Sequence, residues 1–177
     1  DFPPLAQKLA SAFWPGPFTL VLPARADVSV TVRAGEPTVA LRMPSHAITL
    51  QLLKESGLGL AAPSANKYTQ LSPTTAAHVE FSLGNHIPVL DGGACQVGIE
   101  STIVSVYGDN WQLLRPGMIA ESVFTLAAGK PARQIAVSNR RRQGSTCCII
   151  RPARHVSFLT RARPLMHMLQ LHLMQPF

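Results

Sequence analysis

A short apolar run that breaks at proline into small polar residues is the feature that most narrows what this chain can fold into. In GLGLAAPSANKYTQLSPTT (57–75), Leu58–Ala62 lies between Gly57 and Pro63. A run of this length bounded by glycine and proline reads as a buried strand. Ser64 and Asn66 follow its carboxyl end, where open α/β sheets place their ligands. Ser72 is a good N-cap, Pro73 suits a first helical position, and Thr74–Val79 continues as a helix. A helix start carries free N–H groups and suits an anion such as phosphate. Spacing alone favours an ordinary strand–loop–helix connection.

The flanking sequence supplies the other layers. Leu5–Phe13 has helical spacing, with Leu5, Leu9, Ala12 and Phe13 on one face, and Trp14-Pro15-Gly16-Pro17 ends it. Phe18–Leu22 and Thr38–Pro44 read as strands, and Arg25–Ala34 as an irregular or edge segment. Ala47–Ser56 reads as a helix with Ile48, Leu52 and Leu53 inward and Gly57 closing it. Pro88–Asp91 reads as a further short strand. Ser101–Val106 and Trp111–Arg115 read as a hairpin turned at Gly108-Asp109-Asn110. A last helix is expected from Met118 to about Leu126. Strands and helices alternate while one strand pair is antiparallel, so the expected fold is α/β with a mixed sheet.

Charge divides the chain in two. The net charge of +7 would suggest a nucleic-acid partner if it were spread evenly. Residues 1–121 hold 7 Lys and Arg against 9 Asp and Glu, whereas residues 122–177 hold 9 Lys and Arg and no acid. A pI argument for RNA therefore applies to the last third alone. Beyond Gly129 no clean period appears until Leu165–Leu171, a marginal helix. The sequence thus suggests a domain over 1–128 and a basic, poorly ordered tail over 129–177, read as an incidental, divergent or out-of-frame extension.

Several function classes find no support. No run of 18 apolar residues and no basic-then-apolar leader appear, so neither a membrane span nor secretion is expected. Cys95, Cys147 and Cys148 are odd in number and lack ligand spacing, which fits a reducing cytoplasm. Six histidines form no H-x-x-x-H pair, and no metal site is readable. Gly57–Ala62 fits G-x-G-x-x-A, but a helix precedes it and a strand follows, the reverse of a dinucleotide site. No P-loop and no G-x-S-x-G elbow occur.

The candidate site residues are polar groups at expected strand ends: Arg42, His46, Ser64, Asn66, Ser72, Ser101 and Arg115. Arginine forks suit phosphate, carboxylate or an aromatic face, and small serines permit close ligand approach. No nucleophile–base pair is evident, so no residue is assigned a catalytic role. Two arginines with several hydroxyls suit positioning and charge stabilisation in phosphoryl or nucleotidyl transfer. The arginines are equally compatible with surface pairing to nearby acids. Read alone, His46 is a helix-start residue rather than a ligand contact.

These residues fall in an ordered set of motifs. Trp14-Pro15-Gly16-Pro17 with Thr19–Leu22, Arg42-Met43-Pro44-Ser45-His46, Ala62-Pro63-Ser64-Ala65-Asn66 and Ser72-Pro73-Thr74 resemble the YrdC-like family. So do Leu90-Asp91-Gly92-Gly93, Gly98–Val104 and Leu114-Arg115-Pro116-Gly117. The resemblance covers about residues 3–121. It implies a twisted mixed β-sheet flanked by helices and an L-threonylcarbamoyladenylate synthase. Such an enzyme joins L-threonine, bicarbonate and ATP into threonylcarbamoyl-AMP, releasing pyrophosphate, for modification of tRNA. By the resemblance, Arg42, Ser64, Ser72 and Arg115 contact ATP, while His46, Ala62 and Ser101 contact threonine. Mg²⁺ on the nucleotide, tRNA and a downstream tRNA-modifying transferase are the implied further partners. The family's earlier segment, with a lysine and an arginine, is not in this sequence, so an incomplete catalytic domain is expected. Two other readings stay open: a double-stranded RNA-binding module without catalysis, and a carbamoyl-transfer domain like those of hydrogenase-maturation proteins.

Overall fold

A computed structural model of the chain describes residues 2–67, 69–96 and 98–133, and the backbone of Cys148–Ile150. Pro3 caps and Pro4 opens helix α1 (Pro4–Phe13), where a missing N–H costs nothing. Leu5, Ala6 and Leu9 face inward. Ala6 takes the place expected of Ala12, which is exposed, because the buried stripe follows the first turns and leaves the core before the last one. The Trp14 N–H closes the helix on the Ala10 carbonyl.

One mixed sheet carries strands β1 (Phe18–Pro23), β2 (Thr38–Arg42), β3 (Leu60–Ala62), β4 (Thr102–Tyr107), β5 (Asn110–Arg115) and β6 (Cys148–Ile150). Their order is β3-β6-β2-β1-β4-β5. β1 pairs antiparallel to β2 and parallel to β4, and β4 pairs antiparallel to β5. β6 runs parallel to β2 and antiparallel to β3. The β4–β5 hairpin closes on two residues between Tyr107 and Asn110. The first of them, Gly108, has φ 56°, the sign a tight hairpin turn demands there. β6 comes from the stretch in which the sequence suggested no element before Leu165. The remainder of that stretch from residue 134 on, including the helix considered at Leu165–Leu171, lies outside the described residues.

The core forms where α1 and α4 (Glu121–Ala128) cover β1, β4 and β5. Phe18, Leu20, Leu22, Val104, Val106, Trp111 and Phe124 are buried there with the α1 residues. The Phe124 ring lies 4.6 Å from that of Phe13 and 5.0 Å from that of Phe18, within the range of favourable aromatic packing. Trp111 Nε1 donates to the Lys130 carbonyl at 3.0 Å, so its burial leaves no orphan donor. Val21, Ala40 and Ile103 make a much smaller cluster.

Five further expectations need correction. Leu60–Ala62 is a strand but not a buried one: it is an edge strand, half-buried at Leu60 and Ala62 and exposed at Ala61. The helix after it, α3 (Ala76–Leu83), is capped by Thr75, whose side chain accepts the His78 N–H, and not by Ser72. It buries none of its residues. Pro88–Asp91 is not a strand, since Pro88 brings no N–H and the Asp91 carboxylate takes the Gly93 N–H at 2.8 Å in a turn. The last helix starts at Glu121 rather than Met118. There the Thr102 hydroxyl donates to the Ile119 carbonyl and accepts its N–H, which ties that residue to β4 instead. In α2 (Ala47–Ser56) only Leu53 is fully buried, while Ile48 and Leu52 are 38% and 43% exposed. Gly57 closes α2 in the left-handed conformation, as the sequence indicated.

Candidate active site

The register decides which strand ends meet. Thr19 at the start of β1 is opposite Arg42 at the end of β2, and Phe18 is opposite Thr102 at the start of β4. Arg115 at the end of β5 is opposite Ile103. Arg42, Ser101 and Arg115 therefore leave the sheet at one end. The turn at Gly16-Pro17 fastens that end, since Gly16 N–H donates to the Met43 carbonyl and the Pro17 carbonyl accepts the Thr102 N–H.

A connected polar group lies there. Ser101 is buried, and its hydroxyl shares a 2.8 Å hydrogen bond with that of Thr19. Arg115 Nε and Nη2 donate to the Ser101 carbonyl at 3.2 and 2.9 Å, and Nη2 also reaches the Ser101 hydroxyl at 3.2 Å. The remaining edge of the guanidinium, Nη1, pairs with Glu100. The second carboxylate oxygen of Glu100 accepts the Ser72 hydroxyl at 3.4 Å. Arg42 Nε donates to the Gly16 carbonyl at 3.3 Å. Surface pairing, one of the two readings the sequence left open for the arginines, thus holds for Arg115, and its partner is Glu100.

Close backbone packing holds this group in place. A Cβ on Gly117 would fall 2.5 Å from both the Glu100 carbonyl oxygen and the Thr102 nitrogen. Only glycine lets the turn after β5 lie on the start of β4. His46 is the N-cap residue of α2, and its side chain makes no cap bond. Instead its Nε2 lies 3.1 Å from the Gly92 carbonyl. A carbonyl only accepts, so this contact takes the tautomer with the proton on Nε2 and leaves Nδ1 an acceptor. A Cβ on Gly92 would fall 2.6 Å from His46 Cε1.

Ala62 and Ser64 are not brought to this group. β3 runs antiparallel to β6, which sets Ala62 level with Cys148, itself opposite Ala40 on β2, whereas Leu60 is level with Ile150, opposite Arg42. The carboxyl end of β3 thus points away from the end shared by Arg42, Ser101 and Arg115. Ser64 is exposed two residues beyond it. Asn66 staples its own loop by donating to the Lys67 and Gln70 carbonyls, and its buried Oδ1 has no partner among the described residues. Sequence reasoning overlooked Thr19, Glu100, Gly92 and Gly117 as site residues. Thr19 reads as one residue of an apolar strand, and the other three lie inside motifs without being singled out. A hydroxyl in an otherwise apolar strand is the available signal for Thr19.

Among the described residues no group of three or more His, Cys, Asp or Glu gathers to hold a metal ion, and no helix is long and apolar enough to cross a membrane. The arrangement offers instead cationic and hydroxyl donors on a rigid sheet end, suited to holding an anionic substrate.

Known proteins share sequence and fold with this chain. A threonylcarbamoyl-AMP synthase of Bacillus subtilis is 46% identical over 129 residues, covering 72% of this chain and 37% of the relative. One of Schizosaccharomyces pombe is 48% identical over 123 residues, covering 67% of this chain and 30% of the relative. The chain therefore spans about a third of the length of these relatives. A solved structure of Pyrococcus abyssi Sua5 complexed with L-threonine superposes with a TM-score of 0.73 at 36% identity, covering 82% of this chain and 44% of that one. The Sua5/YciO/YrdC family, described as "Telomere recombination", matches residues 1–117, and the chain belongs to that family.

Proposed function

We propose that residues 1–128 are catalytic-domain sequence of a threonylcarbamoyl-AMP synthase. The observation that carries the reading is the Thr19–Ser101–Arg115 linkage beside Arg42. It puts a hydroxyl assigned to threonine against a cation assigned to nucleotide, which a reaction joining the two substrates needs. The similarity to relatives bearing that activity, and to a relative solved with L-threonine, supports it.

In this reading the threonine nitrogen bonds to the carbon of bicarbonate with loss of water, giving a carbamate. A carbamate oxygen then attacks the α-phosphorus of ATP, and the bond to pyrophosphate breaks. Arg42 and Arg115 counter the charge on the phosphates, with Ser72 as a hydroxyl contact. His46, with Nε2 held by Gly92, offers Nδ1 to threonine as an acceptor, and Ser101 adds a hydroxyl to that contact. Holding several groups at once supplies most of the effect, since positioning lowers the barrier without a dedicated base. Mg²⁺ would arrive with the nucleotide and offset part of the phosphate charge, leaving the rest to Arg42 and Arg115. The product passes to a tRNA-modifying transferase in the cytoplasm.

The test is a chimera in which residues 3–121 replace the matching stretch of the Bacillus subtilis relative. Pyrophosphate release that requires ATP, bicarbonate and L-threonine together supports the reading. A folded chimera that releases none rejects it.

A further inference from the structure

Glu100 touches two residues assigned to the nucleotide. One of its oxygens pairs with Arg115 Nη1 and the other accepts the Ser72 hydroxyl at 3.4 Å. The two donors come from different parts of the chain, the end of β5 and the loop before α3, and Glu100 joins them. A phosphate oxygen entering the site would need the same two donors.

We infer that the Glu100 carboxylate is an internal substitute for a nucleotide phosphate, held in the free protein and displaced when the nucleotide binds. The inference rests on the nucleotide assignment of Arg115 and Ser72. Three observations make the carboxylate displaceable rather than part of the scaffold. Arg115 does not need it, because Nε and Nη2 are already fixed by the Ser101 carbonyl and hydroxyl. The Glu100 side chain is 51% exposed and that of Arg115 is 35% exposed, so the pair is screened and weak. The Ser72 contact is long for a hydroxyl–carboxylate bond. Meanwhile the Glu100 backbone is fixed by the close approach of Gly117 and by buried Ser101. Displacement is then a side-chain rotation, with no rearrangement of β4. A polyphosphate brings more charge than a carboxylate and wins the two donors. Glu100 also imposes a threshold, because a weakly charged ligand cannot displace it, and so it selects for polyphosphates.

The test is calorimetric titration of ATP and of inorganic pyrophosphate into the 177-residue chain, at low salt, with Glu100→Gln and Glu100→Ala beside it. Both variants should bind each ligand about two- to fivefold more tightly, the range expected for releasing one exposed ion pair. Asp109→Asn, in the hairpin turn at the other end of β4 and β5, makes the same charge change and should leave binding unaltered. Thermal melts of each variant confirm that it is folded. Unchanged or weaker binding in both Glu100 variants overturns the inference, as does a lack of binding by every chain, since unmasked donors must raise affinity. Tightening that survives in an Arg115→Ala background overturns it too. The nucleotide assignment fails separately if Arg115→Ala leaves ATP binding by the native chain unchanged.

Discussion

Arg115 grips Ser101 at two atoms: its Nη2 donates to the Ser101 carbonyl at 2.9 Å and to the Ser101 hydroxyl at 3.2 Å. The first bond fixes the backbone where β4 begins, and the second ties the arginine to a buried hydroxyl pair with Thr19. A residue assigned to the nucleotide therefore sets the position of a residue assigned to threonine. The two halves of the proposed site are mechanically one.

Arg115→Lys should weaken ATP use in the chimera by about 1.5–3 kcal/mol, the range for one charge-assisted contact. An ammonium group keeps the charge but cannot reproduce the planar fork that reaches Ser101 and Glu100 together. Steady-state kinetics against ATP measure this. Unchanged ATP kinetics would reject the role given to Arg115.

Gly92→Ala should lower affinity for threonine more than for ATP. Gly92 is not among the glycines with positive φ, so its backbone would accept alanine without strain. What forbids a side chain is His46, whose ring lies 2.6 Å from where the Cβ would be. The ring must move, and the Nε2 bond to the Gly92 carbonyl goes with it. Imidazole NMR should report a changed tautomer balance at His46. An unaltered His46 spectrum would show that the contact is not constraining.

Phe124→Ala should destabilise the domain by about 3–5 kcal/mol without acting on the site directly. Phe124 is fully buried and packs on Phe13, Phe18 and Trp111. It joins the helices to the sheet through ring contacts and makes none of the polar contacts of the site. Urea denaturation gives the stability change. A loss below about 1 kcal/mol would mean that this ring cluster is not the core.

The sequence made the mixed sheet and its hairpin legible because Ser101–Val106 and Trp111–Arg115 have strand composition around a turn that only a few residue pairs can make. The helix capped by Gly57 was legible for a similar reason. Local pattern could not tell how β3 is placed: Leu58–Ala62 looks like a buried central strand, but burial depends on what packs over it, and β3 lies at the edge. Ser72 satisfies every local rule for a helix cap, yet its hydroxyl goes to Glu100, distant in sequence. Glu100 itself could not be read as the partner of Arg115, because that pairing follows from the register of β4 on β5. At the candidate site the strand ends Arg42, Ser101 and Arg115 were legible as a set. Ser64 is expected beside them as a strand end and Ala62 by the family resemblance, and the direction of β3 turns both away.

The most direct measurement is an amide NMR titration of the 177-residue chain with L-threonine, followed by ATP. The account predicts that L-threonine shifts resonances at His46, Gly92, Ser101 and Thr19, and that D-threonine does not. ATP should then shift Arg42, Ser72, Glu100 and Arg115, with Ser101 responding to both ligands. Shifts confined to other residues, or the same response to both enantiomers of threonine, would contradict it.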